Sequence, residues 1–178
     1  MRVVGGKFRG RNLVPFNGDK IRPTSDMARE SFFNIVRDKV VGCKFLDLFC
    51  GTGAMGIEAL SRGAEFVALN DSSKESLAVV KKNLEKLNNP ENVSVFNFDG
   101  VEYLKKADTL FDIIYVDPPY KSDIYENVLS VAENALEKDG IVAVETEVPF
   151  SGKTFGLIKT DERKYGRAVI TFFKKEEQ

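Results

Sequence analysis

FLDLFCGTGAMGIEAL, residues 45–60, opens as an apolar run and passes through three glycines into a stretch with helical spacing. Gly51, Gly53 and Gly56 satisfy the G-x-G-x-x-G spacing of a nucleotide-binding turn between a strand and a helix. Glycines there let the backbone approach a ligand closely and let the following helix begin tightly. Several nucleotide-binding families share the pattern, so the ligand has to be read from its surroundings.

Outward from this turn the chain alternates between two periodicities. Strands are expected at residues 45–49, 66–70, 93–97, 111–116 and 141–145, with helices beginning near Ala54, Ser73, Val101 and Ser122. The second of these helices carries an apolar face at Leu77, Val80, Leu84 and Leu87. Upstream, MRVVGGKFRGRNLVPF reads as a short hairpin around Gly5-Gly6. A helix follows RPTSD, capped by Thr24, Ser25 or Asp26, with an apolar face expected through Met27, Phe32, Ile35 and Val36. Downstream of Glu145, KTFGLIKT and RAVITFFKK look like two strands joined by the turn-rich DERKYG. Strands alternating with helices predict right-handed crossovers and a mainly parallel sheet covered on both faces, here closed by an antiparallel pair. At 178 residues one domain with appendages is expected, divided into an arm over residues 1–30 and a core over residues 31–178.

Composition narrows the chemistry. The chain has no histidine and two cysteines, which excludes imidazole bases and His triads and argues against a zinc site. Cys43 and Cys50 flank a run that, as a strand, holds them roughly 20 Å apart, too far for a disulfide. No run of 18 apolar residues and no signal-type leader occurs, so a cytoplasmic protein without membrane contact is expected. The formal net charge is −1, yet residues 1–30 hold seven basic side chains against three acidic ones. Such an arm is either a solvated surface or a phosphate-contacting one.

In an open sheet of this kind ligands bind past the carboxyl ends of the strands. Past the first strand, Asp47 precedes the glycine loop. NAD would present an anionic pyrophosphate there, whereas S-adenosylmethionine presents an ammonium and a sulfonium, and a carboxylate favours the cations. The competing role for Asp47 is to pin the loop through backbone N–H groups. Past the second strand, Asp71 stands where an acid grips ribose hydroxyls. Past the third, Asp99 can accept from an adenine amine, cap the next helix, or both. Past the fourth comes YVDPPYKS. Two prolines fix the backbone, so that the Asp117 carboxylate and the Pro118 carbonyl can take the N–H groups of an exocyclic amine while Tyr120 stacks on the base. The amine's lone pair is delocalised into its ring. Holding its hydrogens helps bring that pair out of plane toward a sulfonium methyl, a transfer that needs orientation more than a strong base.

These residues resemble the class I S-adenosylmethionine-dependent methyltransferases, and within them the RsmD family, which methylates the N2 amine of a guanine in bacterial small-subunit (16S) ribosomal RNA. RVVGGKFRGRNL, RPTSDMARESFFNIV, FLDLFCGTGAMGIEALSRGA, FDIIYVDPPY and RKYGRAVITFF are each similar to a family signature in the same order, across nearly the whole chain. The resemblance implies a Rossmann-like α/β fold with a seven-stranded, mainly parallel sheet, a C-terminal antiparallel hairpin and a small N-terminal hairpin and helix extension. It implies S-adenosylmethionine as cofactor, with Asp47, Gly51 and Gly53 at its methionine end, Asp71 at the ribose, Asp99 at the adenine, and Thr24 and Arg22 bordering cofactor and substrate. Asp117, Pro118 and Tyr120 would hold the guanine, and Lys7, Arg9 and Arg11 would contact RNA phosphates around a base turned out of its stack. The expected partner is ribosomal RNA in the small subunit or an assembly intermediate, with no metal. One departure is Ser73, where many relatives carry a second acid.

Four other readings compete. A DNA adenine-N6 methyltransferase would use the same Asp-Pro-Pro-Tyr, but the chain leaves little room for a target-recognition segment. Protein glutamine methylation goes with Asn-Pro-Pro-Tyr. Pyrimidine C5 chemistry needs a nucleophilic cysteine, and neither Cys43 nor Cys50 stands near Asp117 in sequence. A non-catalytic RNA-binding module on the same scaffold would not need both the glycine loop and Asp-Pro-Pro-Tyr intact.

Overall fold

The computed structural model describes residues 1–16, 24–119 and 122–176, except for the side chain of Ser122. Arg22 and Tyr120, two of the expected site residues, lie outside the described residues. Seven strands form one sheet: β1 (Lys44–Asp47), β2 (Phe66–Asn70), β3 (Val93–Phe96), β4 (Phe111–Val116), β5 (Leu136–Thr146), β6 (Leu157–Tyr165) and β7 (Ala168–Lys175). Their order is β3-β2-β1-β4-β5-β7-β6. The first five strands pair in parallel, and β7 enters antiparallel between β5 and β6.

Central strands β1 and β4 are buried almost throughout because both of their faces are covered. On one face lie α1 (Asp26–Ile35), α2 (Arg37–Val40), α3 (Ala54–Ser61) and α4 (Lys74–Glu85), packed around Phe32, Phe33, Phe45, Ile57, Tyr115 and Phe172. On the other lie α5 (Gly100–Lys106) and α6 (Ser122–Ala132), packed around Leu46, Ile114, Val128, Leu129 and Phe173. Leu77, Val80, Leu84 and Leu87 are all buried, as their spacing predicts.

Three local readings are corrected. Ser25 caps α1, accepting from the Ala28 N–H at 3.1 Å, but the buried face is Ala28, Arg29, Phe32 and Phe33; Met27 and Ile35 are 59% and 43% exposed. The apolar pattern was read one phase off, because a buried Arg29 looks polar in sequence. Asp161–Tyr165 of DERKYG is strand, not turn: β6 is an edge strand, which tolerates charges along its open side, and the reversal falls at Gly166. Finally β5 starts at Leu136, with four residues between Leu136, opposite Phe111, and Ile141, opposite Ile113, against one on β4.

The N-terminal residues form a compact loop with one antiparallel bridge, Arg2 to Asn12. The Val14 N–H donates to Asn83 Oδ1 and the Val14 carbonyl accepts from Asn83 Nδ2, which also reaches the Thr52 carbonyl, so the base of this loop sits at the glycine turn. Its tip is bound at the far end of α3: Lys7 N–H donates to the Ser61 carbonyl at 2.8 Å and Phe8 N–H to Ser61 Oγ at 2.9 Å. Gly6 has φ +73°, and a Cβ there would fall 1.9 Å from the Ser61 carbonyl oxygen. The boundary expected at residue 30 falls inside α1, and Val3 and Leu13 share an apolar cluster with the core.

Candidate active site

The glycine turn is assembled by carboxylates. Gly51 and Gly53 adopt φ of +53° and +80°, and Gly53 caps α3. Asp47, the last residue of β1, is 2% exposed and accepts from the Gly56 N–H at 3.0 Å. Asp71 accepts from the Gly51 N–H at 2.9 Å and from the Ser73 N–H at 2.8 Å. Both acids therefore hold the turn, and each carboxylate oxygen keeps a further lone pair for a ligand. Gly56 packs α3 on the sheet: a Cβ there would lie 2.2 Å from Leu69 Cδ2. Ser73, in place of an acid, caps α4 by accepting from the Ser76 N–H. Asp99 caps α5, accepting from the N–H groups of Val101 and Glu102.

Asn70 escaped the sequence reading. Fully buried, it donates to the carbonyls of Leu48 and Phe98 and accepts from the Phe98 N–H, tying together the chain ends past β1, β2 and β3. Only the presence of an amide at the end of an apolar strand signalled it.

Asp117 follows β4, half-buried, with Pro118 buried behind it. Opposite it in the sheet stands Glu145 of β5, a second residue that sequence reading left as a strand end. Its Oε2 accepts from the Tyr115 hydroxyl and, at 2.9 Å, from Thr24 Oγ1, while Tyr125 donates to its carbonyl. Thr24, expected at the cofactor, is thereby placed at the Asp117 side of the site.

Among the described residues the acids at this end of the sheet have no cationic partner. Burial, opposed by the Gly56 hydrogen bond and reinforced by Asp71, pushes Asp47 up to about 7. Asp117 is pushed well above the carboxylate range by burial, then by the charges of Glu145 and Asp47. Among the described residues no Lys or Arg forms an ion pair with Asp47, Asp117 or Glu145. A ligand cation relieves this strain and a pyrophosphate aggravates it, so the donor set fits the sulfonium and ammonium of S-adenosylmethionine and not NAD. Among the described residues no cluster of His, Cys, Asp or Glu is arranged to hold a metal ion, and no helix is long and apolar enough to cross a membrane.

The dinucleotide-binding sheet runs 3-2-1-4-5-6 in strand order, whereas here a reversed β7 separates β5 from β6. That reversal, above a cation-seeking glycine turn, makes the chain a class I methyltransferase whose methyl donor is S-adenosylmethionine. The family described as "Conserved hypothetical protein 95" matches residues 1–174, and the chain belongs to it, the RsmD family. It is 35% identical over 182 residues to "Putative rRNA methyltransferase YlbH" of Bacillus subtilis, covering 98% of this chain and 99% of that one. It is 34% identical over 150 residues to ribosomal RNA small subunit methyltransferase D of Escherichia coli K12, covering 83% and 75%. Among solved structures, "Putative methyltransferase yhhF" of Escherichia coli superposes with a TM-score of 0.87 at 28% identity, covering 100% of this chain and 99% of that one.

Proposed function

We propose that this enzyme transfers a methyl group from S-adenosylmethionine to the exocyclic N2 amine of a guanine in bacterial small-subunit ribosomal RNA, acting in the cytoplasm on the small subunit or an assembly intermediate. The observation that carries the reading is the rigid Asp117-Pro118-Pro119 at the end of β4, next to the uncompensated Asp47 at the end of β1. The names of the relatives support the RNA class.

The bound donor supplies an electrophilic methyl on a sulfonium. Asp47, Gly51 and Gly53 would hold its methionine end, Asp71 its ribose and Asp99 its adenine, the last two keeping their roles in the turn and the α5 cap. Asp117 and the Pro118 carbonyl would accept the two N2 hydrogens, turning the lone pair toward the methyl. The donor would give up its methyl group and leave as a neutral thioether, and Asp117, whose surroundings raise its proton affinity, would take the proton that N2 sheds on methylation. Tyr120 would stack on the base, and Lys7, Arg9, Arg11 and Arg22 would contact the RNA backbone, making residues 1–30 an RNA-facing extension of the core.

The test is incubation with labelled S-adenosylmethionine and small-subunit RNA, naked and as particles, from a strain lacking the enzyme, followed by mapping of the modified nucleotide. A labelled guanine N2 supports the reading. Label on adenine N6, or none on guanine N2, overturns it.

A further inference from the structure

We propose that Glu145 reads the N1–H of the target guanine, so that the site selects a base carrying both the amine and the neighbouring ring proton. The inference rests on the guanine reading above and specifies its selectivity. Val116 pairs with Val144, which sets Asp117 level with Glu145 on the adjacent strand, about 4.8 Å away between backbones. Ile113 and Tyr115 on β4, and Ile141 and Ala143 on β5, pack into the cluster under α1; by strand alternation Asp117 and Glu145 stand on that same face.

Two carboxylates so placed repel each other unless donors come between them. Glu145 is nonetheless held there: its Oε2 is fixed by the hydroxyls of Tyr115 and Thr24, and Oε1 has no hydrogen-bond partner among the described residues. The complementary ligand edge has adjacent N–H groups and no acceptor between them. Guanine offers N1–H beside N2–H2 on its Watson–Crick edge. Adenine and cytosine offer an amine beside a ring-nitrogen lone pair, which a second carboxylate repels. With Asp117 on N2, Glu145 Oε1 falls to N1. A site built to hydrogen-bond a substrate N–H rejects an analogue lacking it far more strongly than an apolar pocket rejects a change of shape.

The experiment uses small-subunit RNA carrying 2,6-diaminopurine at the mapped guanine. This base keeps the N2 amine but has an acceptor at N1. The unaltered enzyme is expected to favour guanine by about 10⁴-fold in kcat/KM. Glu145→Gln, whose amide can donate to an N1 lone pair, should bring that ratio to within a few-fold of one, with S-adenosylmethionine affinity in calorimetry unchanged. Tyr115→Phe removes one of the two donors that fix Glu145 and should lower the ratio part of the way, which keeps the test open if Glu145→Gln folds poorly. Equal losses on both bases, with the ratio unmoved in both variants, overturn the proposal and leave the guanine reading standing. No transfer to guanine RNA by the unaltered enzyme overturns both.

Discussion

Two buried carboxylates flank α3, and they are treated in opposite ways. Glu58, in its second half, is 1% exposed and saturated: Oε2 accepts from Val4 N–H at 2.8 Å, Oε1 from Gly5 N–H at 2.7 Å and from Arg62 Nε at 2.9 Å, with Arg29 Nε 3.5 Å away. Asp47, against the first turn, is 2% exposed and has one backbone N–H and no ion pair among the described residues. Among the described residues the acid that fastens the N-terminal arm is neutralised, and the one proposed to face the cofactor has no counter-charge. Burial alone therefore does not nominate a functional acid; burial without a counter-charge does.

The comparison breaks most visibly at Glu58. Glu58→Ala takes one of two acidic partners, the other being Asp26, from the fully buried Arg29 and frees two arm N–H groups, a loss of about 3–5 kcal/mol in chemical denaturation. Asp47→Asn removes a charge but keeps an acceptor for Gly56, so it should not destabilise the ligand-free protein at neutral pH. If both variants destabilise alike, the distinction between structural and functional acids fails.

Next in size is Asp117→Ala, expected to lower methyl transfer by about 10²- to 10³-fold with S-adenosylmethionine binding in calorimetry retained. Unchanged turnover on ribosomal RNA would remove Asp117 from the reaction.

The difference between the two ends follows what sequence can carry. The succession of strands and helices was legible because the apolar runs and Gly-marked turns are local, and the glycine turn and the Asp-Pro-Pro turn after β4 were legible because their spacing is short. Glu58, Arg29, Asn70 and Glu145 were not: each acquires its role from residues far away in sequence, as in Glu145 with Thr24, 121 residues apart. For Asp47 the sequence offered both a ligand role and a pin for the turn, and the contact with the Gly56 N–H is the pin; that Asp71 also holds the turn, through the Gly51 N–H, was not legible.

A smaller effect is expected from pH. Asp47 stands near 4 unfolded and at about 7 folded, so between those values the folded state holds a proton that the unfolded chain releases. Ligand-free stability should fall as pH rises from about 4 to about 7, while affinity for the cationic cofactor should rise over the same window. Thermal melts and calorimetry at matched pH values check both, and Asp47→Asn should flatten both. If stability and affinity move in the same direction, Asp47 is not the uncompensated acid.

The smallest expected effect lies at the arm itself. Its tip is fixed to Ser61, and an α3 of 8 residues puts that tip about 12 Å from the glycine turn. Arg9 and Arg11 are exposed on that tip and its return strand, so as RNA ligands they would meet phosphates away from the target base and add little to the choice of nucleotide. Arg9→Ala with Arg11→Ala should weaken RNA binding less than tenfold at moderate salt and lower the slope of log affinity against log salt by about 1–2. Turnover at saturating RNA should stay unchanged, because phosphate contacts set binding and position and not the transfer step. If the salt slope does not move, Glu58 and Ser61 hold the arm as a structural cap on α3, and the RNA is gripped from the catalytic end of the sheet.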